Sequence, residues 1–113
     1  MNKEEILAGN ALFAEFMGGI LDSPPSKYYY FPKKGRYETE LRYHSSWEWL
    51  MLVVEKIESL GFDVKIKGIT CSINRLCEEE TIIQFVLGDR ARKIELVWSV
   101  VLEFIKWYNE QPK

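Results

Sequence analysis

Two stretches of the sequence have helical periodicity and an apolar side that is too wide for a single neighbour to cover. In residues 47–60 the apolar side chains spread over an arc of about 200° on an ideal α-helix. In residues 91–109 the polar residues form one narrow stripe, and almost every other position is apolar. One face of a sheet can cover only part of such a helix. We therefore predict that both helices pack against a second neighbour as well.

Three candidate strands lie between these two helices. Residues 62–67 and 69–74 alternate apolar and polar side chains, whereas residues 81–87 are apolar on both sides apart from Gln84. We place the first turn at Lys67–Gly68 and the second in the acidic residues that precede Thr81. The sequence therefore predicts an α+β fold, an antiparallel meander of three to four strands covered by helices, in the order α, arm, α, β, β, β, α.

The first third of the chain contains one helix and one irregular segment. Asn2 is a candidate N-cap with Glu5 three residues later, and Gly18 with Gly19 ends the helical pattern. Residues 20–43 have no helical periodicity, and their prolines favour turns around the aromatic run KYYYF, which we predict to be an edge strand. A length of 113 residues with 47% hydrophobic content fits one core. We predict one domain over residues 1–113, with a variable arm or insertion at residues 20–43.

Composition favours a cytosolic protein over a secreted or membrane protein. The chain has two cysteines, too few for a disulfide-rich secreted scaffold, and its first residues are acidic rather than apolar as in a signal peptide. Its apolar runs are far shorter than the roughly 20 residues that cross a membrane. The net charge of -2 provides no general attraction to nucleic acid or anionic lipid. We expect a location in the cytoplasm of a bacterial host cell, with no membrane partner and no cofactor.

The single histidine lies in the sequence YHSSWEW, where it could form a reactive site with nearby serines and with the two cysteines. Adjacent side chains at a helix start point in diverging directions, and the sequence marks no third orienting group. Ser45 and Glu48 have the spacing of a capping box, and His44 is then placed to pack on Trp49. We interpret His44, Ser45 and Glu48 as a structural cap, and we expect neither catalytic residues nor a metal site.

The arm combines basic and aromatic residues, as nucleic-acid-binding surfaces do. A second basic group begins the last helix, and helix, three strands, helix is also the order of double-stranded RNA-binding domains. The candidate nucleic-acid-binding residues are Lys33, Lys34, Arg36, Arg90, Arg92 and Lys93. The interpretation that we favour is that the aromatic side chains of the arm fold back over the core while its charges keep it soluble.

The wide apolar helices also suggest an interface, because aromatic residues contribute much of the binding energy between proteins. The candidate interface residues are Trp47, Trp49, Trp98, Phe104, Trp107 and Tyr108. We expect a homodimer or a stable protein partner on the second and third helices. The alternative is a monomer in which residues 28–37 of the arm cover that same surface.

Three segments of the sequence resemble a known family. The segments AEFMG, YHSSWEWLMLVVEKIESLGF and KIELVWSVVLEFIKWYNE, together with the cysteine-bearing hairpin, are similar to the phage ABA sandwich domain of small proteins from bacteriophages and prophages of gut bacteria. Leu52, on the polar side of its helix, stands where relatives are expected to have proline. The resemblance implies helices layered on a sheet, and it implies no activity, cofactor or catalytic residue. We expect a non-enzymatic phage or prophage accessory protein that binds protein; the alternative is a nucleic-acid-binding module.

Overall fold

The computed structural model describes residues 2–21, 29–32, 35–38, 40–75, 81–86 and 92–111. The helices are α1 (Lys3–Phe16), α2 (Trp47–Ser59) and α3 (Lys93–Glu110). The strands are β1 (Ile20–Leu21), β2 (Tyr29–Phe31), β3 (Arg36–Glu38), β4 (Phe62–Lys67), β5 (Thr70–Arg75) and β6 (Thr81–Val86). They form two antiparallel sheets, one of β1, β2 and β3 and one of β4, β5 and β6. The predicted α+β fold is confirmed.

Local sequence sets the ends of the first two helices. The Asn2 side chain accepts a hydrogen bond from the Glu5 backbone N–H at 2.8 Å, which satisfies an amide that has no partner within the helix. Gly18 follows α1 with φ +85°, and Gly61 follows α2 with φ +96°. A residue without a Cβ adopts this left-handed conformation at little cost, so both helices end where the sequence predicted.

The main sheet consists of β4, β5 and β6, with β5 in the centre. Its register places Val64, Ile73 and Ile83 side by side on one face, which α2 and α3 cover. The opposite face has polar neighbours such as Lys65, Ser72 and Gln84. Lys67 pairs with Thr70, so the first turn is Gly68–Ile69, one residue later than predicted. The alternating strands therefore form a sheet with one covered face and one polar face.

Helix α3 lies between the main sheet and α1. On one side of α3, the ring of Trp98 stacks on Phe13 of α1, with centroids 5.7 Å apart. Half-way around the helix, Trp107 meets the edge of Phe62 in β4 at 6.0 Å. Phe104 contacts both partners, Phe62 at 4.9 Å and Phe16 of α1 at 6.5 Å. For α3, the predicted second neighbour is confirmed and is α1.

The arm contributes a small sheet of its own. Its central strand is β2, in which Tyr30 lies opposite Ile20 on one side and Tyr37 on the other. The strand predicted in the aromatic run is confirmed, but it is a central strand rather than an edge strand.

Aromatic side chains of the arm pack against the helices. Tyr29, Phe31 and Tyr43 are buried. Tyr43 joins two helices, because its ring lies 5.2 Å from Phe13 of α1 and 5.1 Å from Trp49 of α2. The interpretation that the aromatic residues of the arm cover the core is confirmed for these three residues.

Candidate functional site

The cluster around the histidine begins a helix, but the cap is one residue later than predicted. The N-cap of α2 is Ser46, whose Oγ accepts a hydrogen bond from the Trp49 backbone N–H at 3.4 Å. Ser45 lies in the preceding turn, where its N–H and that of Ser46 both donate to the Arg42 carbonyl. This turn ends at Ser46, so Ser46 and not Ser45 is the N-cap that precedes the first helical residue, Trp47. Glu48 is then too close to the cap to form the predicted capping box, and that prediction is wrong.

The imidazole of His44 belongs to a polar network inside the protein. Asn10 of α1 is only 2% exposed, and its Nδ2 lies 2.8 Å from His44 Nδ1 and 3.2 Å from the Leu41 carbonyl oxygen. Its Oδ1 accepts a hydrogen bond from Trp98 Nε1 at 3.0 Å. Since Nδ2 donates, the acceptor at His44 is the lone pair of Nδ1, which assigns the proton of the neutral ring to Nε2. Tyr43 packs on Trp49, and the packing of His44 on the same ring stays a prediction.

The structure describes one of the two cysteines that the sequence offers as nucleophiles. Cys71 is fully buried, and burial raises the pKa of its thiol to about 11. Burial also raises the pKa of Tyr43, and the nearby Glu38 carboxylate adds to that effect. Cys77 lies outside the described residues. Within the described ranges, no three His, Cys, Asp or Glu side chains are grouped as metal ligands would be.

Most of the candidate nucleic-acid-binding residues lie beyond what the structure describes. Lys33, Lys34 and Arg90 are outside the described residues, and the side chain of Arg36 in β3 is too. Arg92 is the N-cap of α3, and its Nε lies 3.3 Å from Oε1 of Glu95 one turn along the helix. Lys93 is exposed beside it. The described part of this basic group is therefore one lysine next to an arginine that is already paired with a carboxylate.

The aromatic interface predicted on α2 and α3 is largely part of the core. Trp98 is 3% exposed and Phe104 is fully buried, so the prediction that they form an interface is wrong. Trp49 and Trp107 are half-buried, and only Trp47 and Tyr108 expose a large part of their surface. The physical reason is that α1 and the arm cover the apolar surface that the main sheet leaves open.

An open surface lies at the edge of the main sheet. There β6, α3 and α1 border a groove of about 510 Å³. We call the outer edge of β6 together with this groove the β6 flank. The groove is lined by Glu5, Ala8, Gly9, Leu12, Phe85, Trp98, Ser99, Leu102, Glu103 and Lys106.

The two edge strands of the main sheet differ in how well they resist pairing with another chain. The edge strand β4 alternates apolar residues with Asp63, Lys65 and Lys67, and such charges block the approach of another strand. The sequence of β6 is TIIQFV, which has no charge and no proline. Val86 is 62% exposed and Phe85 is 39% exposed. Among the described residues, no other strand pairs with the outer edge of β6.

The β6 flank was not predicted from the sequence, although one relevant feature was present. A strand that is apolar on both sides is expected to be covered on both sides. In a meander of three strands, however, the third strand is at an edge unless a further element pairs with it. The apolar pattern of β6 and its position together indicate an unprotected edge.

A second, smaller pocket of about 300 Å³ lies where the arm meets the end of α1 and the exposed side of α2. Leu52 points into it from α2, which agrees with the prediction that this residue projects from the polar side of the helix. The lining residues are Met17, Gly18, Phe31, Pro32, Tyr43, Trp49 and Leu52. They provide no charged side chain, so this pocket offers contact surface rather than chemistry.

No family model, no curated protein and no solved structure matches this chain. In the described residues, no helix is both long enough and apolar enough to cross a membrane.

Proposed function

We propose that the chain is a non-enzymatic accessory protein of a bacteriophage or prophage, acting in the bacterial cytoplasm by binding another protein chain along the β6 flank. The similarity of its three sequence segments to the phage ABA sandwich domain supports the phage origin. The observation that carries the binding role is the uncharged edge of β6, with which no described strand pairs, beside an open groove. An incoming extended segment pairs its backbone with such an edge and places alternate side chains in the groove.

The contacts of the histidine support a binding role over a catalytic one. The ring nitrogen that would act as a base already accepts a hydrogen bond from Asn10, and the described thiol of Cys71 is buried with a raised pKa. The β6 flank, in contrast, is open and contains backbone and apolar groups that have no described partner strand. Such a surface gives affinity through backbone hydrogen bonds and apolar contact, as protein-recognition edges do.

A matched pair of lysine variants tests this role. Val86→Lys places a charge on the β6 edge at a residue that is 62% exposed, whereas Leu7→Lys makes the same kind of change at 59% exposure on the side of α1 that faces away from the groove. The immobilised wild-type chain and both variants are incubated with extract of phage-infected host cells. We expect a protein that is retained by wild type and Leu7→Lys and lost with Val86→Lys. Retention that does not depend on Val86 contradicts the proposal.

The nucleic-acid alternative has its own test with labelled single-stranded and double-stranded RNA. We expect weak or no binding at physiological salt by fluorescence anisotropy. Submicromolar binding that weakens steeply with salt, and whose salt slope falls when Lys33, Lys34 and Arg36 are all replaced by glutamine, would instead make the protein a nucleic-acid-binding module.

A further inference from the structure

We infer that the chain which occupies the β6 flank is a second copy of this protein, and this inference rests on the proposed binding role of that flank. In the arrangement, β6 of one copy pairs antiparallel with β6 of the other across a two-fold axis perpendicular to the main sheet. The two three-stranded sheets become one sheet of twice that size, and both helical layers remain on the same face. The homodimer predicted from the sequence had its contact surface on α2 and α3, whereas this arrangement has it at the β6 edge.

The sequence of β6 suits pairing with itself. A two-fold axis through the middle of an edge strand places the central residues opposite their own copies, and the residues at one end opposite those at the other end. A strand with charged side chains would set like charges against each other, which is destabilising. Not one of the six residues of β6 is charged, while β4 has Asp63, Lys65 and Lys67. β6 can therefore pair with a second copy of itself without bringing charged side chains together, whereas β4 cannot.

The groove beside β6 allows the contact to extend beyond backbone pairing. Six paired residues alone bury less than the roughly 1,000 Å² that a specific interface needs. The two-fold axis brings the grooves of both copies together, and Phe85, which is 39% exposed at the groove wall, loses exposed apolar surface there.

The charged side chains of the groove lining are Glu5, Glu103 and Lys106. Glu103 lies 3.5 Å from Lys106, so this carboxylate is paired within its own chain. Glu5 is exposed and accepts a hydrogen bond from the Asn2 side chain, so solvent weakens its repulsion from the second copy.

Light scattering after size-exclusion chromatography over a concentration series tests the dimer directly. For the wild type we expect the mass to rise with concentration from 13.3 kDa to twice that value. Val86→Lys is expected to raise the dimer dissociation constant about tenfold or more, while Leu7→Lys leaves it unchanged. Circular dichroism checks that both variants are folded. A wild type that remains monomeric at hundreds of micromolar, or a dimer that Val86→Lys does not weaken, overturns the inference.

Cross-linking through one introduced cysteine in each copy tests the antiparallel orientation of the two β6 strands. Gln84→Cys, in a background in which Cys77 is serine, is expected to form a disulfide-linked dimer on mild oxidation, faster than Leu7→Cys in the same background. Equal rates overturn the proposed pairing. If the wild type is monomeric but captures a host or phage protein that Val86→Lys does not capture, the self-pairing is refuted while the proposed binding function stands. If Val86→Lys changes neither the mass in light scattering nor the captured protein, both are refuted.

Discussion

Replacing Asn10 by alanine removes every hydrogen bond of the network inside the protein. The Trp98 indole N–H, on a side chain that is 3% exposed, loses its acceptor at 3.0 Å. An unsatisfied donor of this kind costs about 1–3 kcal/mol. The bonds from Nδ2 to Leu41 and His44 contribute about 0.5–1.5 kcal/mol each, at the lower end here because both partners are half-buried and can turn to water.

A gain in helix propensity opposes this loss. Alanine is a better helix former than asparagine by about 0.6 kcal/mol in the interior of a helix such as α1. The free energy of unfolding is therefore expected to fall by about 1.5–3.5 kcal/mol. Urea unfolding followed by circular dichroism measures the change as a shift in midpoint at constant slope.

The control is Asn109→Ala, because Asn109 is exposed near the end of α3 and the same amide is removed there. It is expected to change stability by less than about 0.5 kcal/mol. If Asn10→Ala and Asn109→Ala differ by less than that amount, the network does not stabilise the fold and the reasoning is refuted. Adding Trp98→Phe to Asn10→Ala removes the orphaned donor, so the double variant should lose less stability than the sum of the single variants.

Three further predictions concern single residues. Ser46→Ala is expected to lower the free energy of unfolding by about 0.5–2 kcal/mol, whereas Ser45→Ala changes it little; the reverse order in urea unfolding would restore Ser45 as the cap. Gly9→Ala places a methyl group 2.6 Å from Cη2 of Trp98, and this overpacking is expected to outweigh the helix propensity that alanine adds, so that the thermal midpoint falls; an unchanged or higher midpoint would contradict such close packing. Burial raises the pKa of the Cys71 thiol from 9.0 to about 11, so the folded state keeps this proton longer than the unfolded state, and stability falls as pH rises from about 9 to about 11. Cys71→Ala should make the pH dependence of the urea midpoint shallower in that window, and equal slopes would rule out the shift.

The helices and the main sheet were predictable because local patterns determine them. The spacing of Asn2, Glu5 and Gly18 defines α1, and the alternation in residues 62–67 defines β4. The cap of α2 was misplaced by one residue because Ser45 and Ser46 are equally suited by type. The choice between them depends on the turn in which both amides donate to the Arg42 carbonyl, and that turn has no simple sequence pattern.

The buried network and the coverage of α3 depend on contacts between residues that are far apart in the chain. Asn10 and Trp98 are joined across the packed surfaces of α1 and α3, and helical periodicity alone does not show that an asparagine faces inward. The same limit applies to the aromatic interface, because the arm that covers part of it has no helical or strand period of its own. The β6 edge was within reach of the sequence, since a third strand without charges leaves an open side.

Hydrogen–deuterium exchange across β4 and β6 tests most directly whether the β6 edge is where the protein binds. The backbone amides at the outer edge of β6 have no described partner strand, so they should exchange quickly in dilute protein. We expect exchange in residues 81–86 to slow as the protein concentration rises through the range in which the dimer forms, or when a captured partner is added. Exchange in β4 should stay the same, since its charged edge does not pair. If exchange in β6 is unaffected by concentration and by partner, the β6 flank is not a binding surface.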